Sequence, residues 1–527
     1  MTHEGRLLRS LHHMHAPYRI ESSYRYAIIT TMLSQILCVV LLFFAFGEGI
    51  KPSLSSTELL ELGDKAFGTN DVESAIRQYH LGIESLSDEI PLQVALSLYI
   101  HLGSAQSHLG DNEEAVAAYR RALLFHSDTV DSIGDDEDAK RDATNQAAQA
   151  AYYLGMVHQN TNNFEQSADA YALANSLDPL HWASVANLGA VLQDDMNEHA
   201  DALSAYNKAY EILTQNNAQP TDPPEDLKAV LSQIQYRTGL AISSGMAGRK
   251  CALQDDPTKS VPCEEMAKHA LSLAIQYDSS NEKAKHMLAS LTADGTMSRA
   301  TNEYVTELFN GYAKNFEQSL VGELGYNGFE RLRRGFDQVF GGSDKVPIFD
   351  LVVDAGSGTG LAGEQFRNVS KTLVGVDLSE SIIEEGKTLR PDLYDEVCVG
   401  DVIETFRERK PIDLIIASDS YIYFGDLDPV FQAMREGLGD GGYVALSLEN
   451  VSTISETSLT SAKPDWRWQL TPSGRFAHRK QYVEAIAEQH AMEVVRYETL
   501  DAFRYEKGEG VRGHSFVLRK AAQEKEL

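Results

Sequence analysis

Cysteine and positive charge are what this sequence has least of. Its 527 residues include four cysteines, Cys38, Cys251, Cys263 and Cys398, too few for a disulfide scaffold and without metal-ligand spacing. Lys and Arg number 46 against 77 Asp and Glu, a formal charge of −31. A surface of that sign repels polyphosphates, which makes nucleic acid a poor partner. Cys251 and Cys263 flank a Pro-containing insertion. They either close a short loop in an oxidising compartment or remain two thiols in a helical region. With 43% hydrophobic and 23% charged residues, the chain is of ordinary globular makeup, and its length predicts two to four domains.

Charge is also missing locally. Ala27 to Gly47 carries none, and Ile36 to Phe46 is continuously apolar, in a stretch close to the ~20 residues that span a bilayer. Arg6, Arg9, Arg19 and Arg25 precede it, an asymmetry that keeps the N-terminus cytosolic and sends the bulk of the chain to a lumenal or extracellular side. The expectation is a basic segment at 1–25 and a single hydrophobic helix at 26–47 acting as a transmembrane signal-anchor. A cleaved signal peptide and an organelle presequence are the alternatives.

What is present first is a period. Leu154-Gly155 and Leu188-Gly189 stand 34 residues apart, each followed by Ala and Tyr positions, and Leu62-Gly63 and Leu102-Gly103 open two earlier copies. A degenerate fifth copy holds Ala267, Leu271 and Ala274. Small residues at the Gly and Ala positions let paired helices approach closely, while Leu and Tyr fill the space between hairpins. Over residues 55–292 this pattern resembles the tetratricopeptide repeat family, which implies an α-helical superhelix and a protein or peptide partner; a purely structural arm is the other reading. The acidic run Asp131 to Asp138 reads as a solvated loop.

From about residue 300 to 523 the period gives way to short apolar runs alternating with helical segments, the pattern of a mostly parallel sheet covered by helices. Ile348 to Val353 runs into Asp354-Ala-Gly356-Ser357-Gly358-Thr-Gly360, a strand-to-helix turn that lets a nucleotide-like ligand approach bare backbone. Gly358 to Gly363 also satisfies the dinucleotide pattern, so a dehydrogenase enters as a rival. Further carboxylates close later strands: Asp377 after Leu373 to Val376, Asp401 after Val397 to Gly400, and Asp419 after Ile412 to Ser418.

Four motifs in this order resemble the class I S-adenosylmethionine-dependent methyltransferases, which have an α/β Rossmann-like fold. With Tyr312 to Phe316, Leu324 to Tyr326, Ser418 to Leu427 and Pro472 to His478, the segment looks like the methyltransferases fused to tetratricopeptide repeats, and distantly like those of ubiquinone and biotin synthesis. The resemblance implies S-adenosyl-L-methionine as cofactor and no metal. Asp354, Gly356, Ser357, Gly358 and Gly360 would surround its methionine part, Asp377 and Leu378 its ribose, and Asp401 and Val402 its adenine. Ser418 would approach the reacting end, and Tyr312 and Phe316 would form a lid, an aromatic face being favourable to a sulfonium. Catalytic candidates are Asp419, His478 and Tyr421. Arg475, Arg479 and Lys480 form a basic cluster that would attract a carboxylate-bearing acceptor, or else a salt-bridged loop. Trp466 and Trp468 are candidates for the acceptor pocket. The acceptor is a small carboxylate or hydroxyl compound or a protein side chain. The opposing reading is a non-catalytic, membrane-tethered adaptor built on a relic fold.

Overall fold

The computed structural model describes residues 54–87, 90–215, 224–252, 259–292, 297–450, 467–506 and 508–521. The segments 1–25 and 26–47 lie outside them. Among the described residues no helix is long and apolar enough to cross a membrane. The single-pass transmembrane placement, with most of the chain lumenal or extracellular, is therefore corrected: nothing described supports a span.

The chain divides into two compact units, 1–150 and 151–527. In the first, α1 (Ser56–Gly68), α2 (Val72–Glu84), α3 (Leu92–Leu109) and α4 (Asn112–Thr129) form helical hairpins and are followed by α5 (Glu137–Asn160). Ser55 starts α1 with a capping box, its backbone N–H donating to Glu58 at 2.8 Å, which satisfies otherwise orphaned helix-end groups. The repeat glycines are steric necessities. A Cβ on Gly103 would stand 2.8 Å from the Tyr119 ring, and Tyr79 and Tyr119 are buried.

The second unit continues the same logic through α6 (Phe164–Leu177), α7 (Trp182–Ala190), α8 (His199–Gln215), α9 (Glu225–Gly245), α10 (Cys263–Tyr277) and α11 (Glu282–Thr292). Cβ atoms on Gly155 and Gly189 would stand 2.7 Å from Tyr171 and Tyr206, and in the degenerate copy Gly239 faces Leu271 at 2.7 Å. The fifth repeat thus keeps the close approach and exchanges the ring for a leucine. Between α9 and α10 the strands β1 (Lys250–Ala252) and β2 (Ser260–Pro262) form a hairpin, joined by a Cys251–Cys263 disulfide. The paired alternative is the one adopted.

The rest of this unit is a mixed sheet. Its strands are β3 (Phe349–Ala355), β4 (Ser370–Asp377), β5 (Glu396–Val399), β6 (Ile412–Ala417), β7 (Leu438–Asn450), β8 (Trp468–Leu470), β9 (Phe476–His478), β10 (Met492–Glu506) and β11 (Glu509–Lys520), in the order β10-β11-β7-β6-β3-β4-β5. β3, β4, β5, β6 and β7 pair in parallel, and β11 runs against both β7 and β10. The order reverses between β3 and β6, which opens a crevice at their C-terminal ends. One apolar layer gathers Val353, Ile415, Phe431 and Leu446, and the other Leu332, Phe336, Val352 and Ile416. The central strands β3, β4, β6 and β7 therefore bury residues of both faces, as a helix-covered parallel sheet requires.

The last repeat helix rests on this α/β part. His286 of α11 stacks on Tyr304 at 3.9 Å between ring centroids, and its Nε2–H donates to the Gly474 carbonyl at 2.7 Å. Ala289 joins Leu470 and Phe476 in a small apolar cluster.

Candidate functional site

The crevice is built from the turn after β3. Gly356, Gly358 and Gly360 have φ of 73°, 53° and 102°, a left-handed region that side chains with a Cβ avoid. The N–H groups of Gly356 and Ser357 donate to the Val376 carbonyl at 2.8 and 2.9 Å, tying the turn to β4. Ser357 is buried. Asp354 is wholly buried; its Oδ2 accepts from Tyr394 Oη at 2.7 Å, and its Oδ1 has no partner among the described residues. Burial pushes this carboxyl up to about 7.

Asp377 closes β4 beside the turn. Its Oδ2 accepts from the Gly358 N–H at 2.9 Å and its Oδ1 from the Ser379 N–H at 3.0 Å. Burial raises this carboxyl, and those backbone bonds oppose the rise. Leu378 beside it is half-buried. The carboxylate braces the glycine turn, a role its position at a strand end alone did not reveal.

Asp401 is engaged by other protein groups. It caps α16 (Val402–Glu408; α12, α13, α14 and α15 are Asn302–Tyr312, Gly328–Val339, Leu361–Phe366 and Glu380–Leu389), accepting from the Ile403 N–H at 2.8 Å. Its other oxygen takes Arg299 at 2.6 Å and Asn302 at 3.3 Å. Burial works against ionisation here, but the bonds from Arg299 and Ile403 win and hold the carboxyl below its ordinary value. Arg299 also lies 4.2 Å above the Phe424 ring. Asp401 thus fastens the segment entering α12 to the sheet. Val402 packs against the core.

That segment and the turns after α12 form the lid. Phe316 lies over the glycine turn, where a Cβ on Gly358 would meet its ring at 3.6 Å. Phe309 meets Phe316 and Tyr423 edge-on at 6.0 and 5.6 Å. Asn310 accepts from Ser379 Oγ at 2.6 Å, and Glu317 accepts from Thr359 Oγ1 at 2.5 Å and pairs with Arg390. Tyr312, by contrast, is half-exposed. Burial raises its hydroxyl, and the charges acting on it are Asp194 and Arg237 of the repeats and Arg475. It stands toward the repeat surface, and Phe316 alone of the two aromatics covers the turn.

Beyond the turn lies a buried charge network. Ser418 Oγ shares a hydrogen bond with Tyr326 Oη at 2.7 Å. Asp419 follows with φ of 57°, its N–H donating to Ser447 Oγ at 2.9 Å. Arg504, 0% exposed, donates from Nη1 to Asp419 Oδ2 at 2.9 Å, from Nη2 to Glu449, and from Nε to Glu506 at 2.9 Å. Arg475 pairs with Glu506. Burial raises the carboxyls of Asp419 and Glu449, with Arg504 opposing it in both. Asp419 Oδ1 has no partner among the described residues.

The expected basic cluster therefore does not stand free: Arg475 is paired, and Lys480 pairs with Glu484 at 3.2 Å and lies 4.3 Å from the Tyr497 ring centroid. His478 is wholly buried in β9, its Nε2–H donating to the Gly425 carbonyl at 3.2 Å and its ring parallel to Tyr482. Burial pushes its imidazole down to about 4. Tyr421 sits in the core against Phe424. These surroundings fit packing for both; of the three catalytic candidates, Asp419 is the one in the crevice network. Trp466 lies outside the described residues, and Trp468 packs against Tyr482. Arg504, Glu449, Arg299 and Glu317 carried no spacing signal, because their partners come from distant elements.

Comparison with known proteins finds two family models and several solved structures. Residues 326–495 match a family model described as a methyltransferase domain, and residues 96–125 match a tetratricopeptide repeat model. The chain carries both modules. None of the curated proteins compared with it matches. Among solved structures, MamA protein is similar at 21% identity, covering 44% of this chain and 94% of that one with a TM-score of 0.29. Magnesium protoporphyrin IX methyltransferase (ChlM) from Synechocystis PCC 6803, solved with S-adenosylhomocysteine, is 14% identical over 42% of this chain and 99% of its own, TM-score 0.30. The N-methyltransferase NodS from Bradyrhizobium japonicum WM9, also in complex with S-adenosylhomocysteine, is 14% identical over 41% and 98%, TM-score 0.31.

Proposed function

We propose that this chain is an S-adenosylmethionine-dependent methyltransferase whose repeats recruit a protein partner or present the acceptor. The observation that carries the reading is the turn of left-handed glycines at the point where strand order reverses, braced by Asp377 and roofed by Phe316, within the stretch that matches a methyltransferase domain. The residues fit the cofactor. The turn offers bare backbone, Asp354 keeps a buried oxygen with no partner among the described residues, and each Asp377 oxygen retains a second lone pair for a ribose hydroxyl. Asp401 belongs to the lid fastening instead of to the adenine.

When bound, S-adenosylmethionine supplies a methyl group already activated on a sulfonium. What remains for the protein is positioning and exclusion of water. Phe316, Asn310 and Glu317 hold the lid on the turn and keep water out. Asp419 is held at the acceptor side by Arg504, and Ser418 is fixed by Tyr326.

The test is calorimetric titration of S-adenosylmethionine and of NAD into the full chain, with Asp377→Ala alongside. Micromolar binding of the first and none of the second supports the proposal. A folded chain that binds neither refutes it.

A further inference from the structure

Among the described residues three carboxylates, Asp419, Glu449 and Glu506, pair with two guanidiniums, Arg475 and Arg504. The hydroxyls nearby, Tyr326 and Tyr423, have their ionisation raised by burial and stay neutral. Both guanidiniums are already engaged by carboxylates, so neither is offered to an acidic ligand. Asp419 Oδ1 has no partner among the described residues, and Asp419 is held in a left-handed conformation, φ 57°, that is strained at a residue with a Cβ. Ser420, the next residue, abuts Gly356 so closely that a Cβ on the glycine has no room. The orphaned carboxylate oxygen therefore sits one residue from the glycine turn.

We infer that the methyl acceptor is an amine nitrogen and that Asp419 is the group that binds it. This rests on the methyltransferase reading above and names its substrate class. An ammonium group docks on Asp419 Oδ1 and satisfies a buried carboxylate oxygen that has no partner among the described residues. It loses a proton to water before reaction, freeing the nitrogen lone pair. That lone pair forms the N–C bond as the C–S bond breaks, its electron pair staying on sulfur. Positive charge thereby passes from sulfonium to nitrogen, toward Asp419, which stabilises the transition state more than the ground state. The methylated ammonium then releases its remaining extra proton to water. A carboxylate acceptor would gain nothing here, since its charge would be repelled by Asp419 and annihilated in the reaction.

Near-isosteric probes test this: benzylamine, benzyl alcohol and benzoate, titrated by ligand-observed NMR into the full chain saturated with S-adenosylhomocysteine. Expected is at least tenfold tighter binding of benzylamine than of benzoate. Asp419→Asn should bring benzylamine down to the level of benzyl alcohol while S-adenosylhomocysteine affinity, measured separately, stays within twofold. Glu449→Gln, which removes one carboxylate charge of the network but keeps Asp419, should lower benzylamine affinity by a smaller factor, a readout that holds even where the first variant fails to fold. Benzoate binding as tightly as the amine, no amine binding, or an unchanged preference in Asp419→Asn overturns the inference alone. Failure of the wild type to bind S-adenosylhomocysteine overturns the methyltransferase reading and this inference with it.

Discussion

Replacing Arg504 by Met is the most direct test of the buried network. The guanidinium is fully enclosed and donates to three carboxylates, two of them at 2.9 Å. Methionine fills similar volume but leaves Asp419 and Glu449 buried without their cation. Removing one partner of a buried ion pair costs about 3–5 kcal/mol, which at about 2 °C per kcal/mol for a unit of this size is a fall of roughly 6–10 °C in melting midpoint. The sign of the pH dependence follows. Both carboxyls already have their pKa raised in the folded state, and losing Arg504 raises them further. The native state then binds more protons than the unfolded one, so the deficit is largest at pH 7.5 and shrinks as pH falls toward 5. Differential scanning fluorimetry of the full chain at pH 7.5 and 5.0 reads both quantities, with Lys387→Met as control because its pair with Glu384 is half-exposed on both sides. A shift no larger than the control's, or a deficit that grows in acid, would refute the reasoning.

Other perturbations have equally definite outcomes. Asp377→Ala should weaken S-adenosylmethionine by about 1.5–3 kcal/mol, through loss of charge-assisted hydrogen bonds to the turn and the ribose; unchanged affinity in calorimetry removes that assignment. Gly155→Ala should destabilise by about 1–3 kcal/mol because the new Cβ meets Tyr171. Gly68→Ala, with open space around it, should be neutral or mildly stabilising, and equal melting shifts for the two would show that the repeat packing is misread. His478 and His514 are each pushed down to about 4 by burial, below the unfolded value of 6.5. Each contributes stability that is present above pH 6.5 and is lost as pH falls toward 4. His478→Gln should flatten the fall in melting midpoint between pH 7 and pH 5, whereas parallel curves would exclude the buried imidazole as its source.

The sequence made the cofactor turn legible because its signal is local: glycine adopts the φ values of 73°, 53° and 102° at positions 356, 358 and 360 without the strain a Cβ brings. The hydrophobic run at 26–47 had an equally strong local signal, yet a span needs a helix of sufficient length and apolarity, and none exists among the described residues. His478 shows the opposite limit. Its residue type suits a base, but enclosure in β9 with its Nε2–H given to a carbonyl is a property of the packing around it.

By itself, then, the sequence determined the repeat hairpins, the α/β segment and the glycine turn, because spacing along the chain specifies backbone geometry and which faces must be buried. Gly and Tyr recur sixteen or seventeen residues apart in four of the repeats, and that spacing already contains the helix contact. Tertiary structure alone decided the charge partners. Asp401 is claimed by Arg299, 102 residues earlier, and Asp419 by Arg504, 85 residues later. Electrostatic pairing depends on distance through space, and the strand order that brings β6, β7 and β10 to one crevice is not written in the spacing of any one segment.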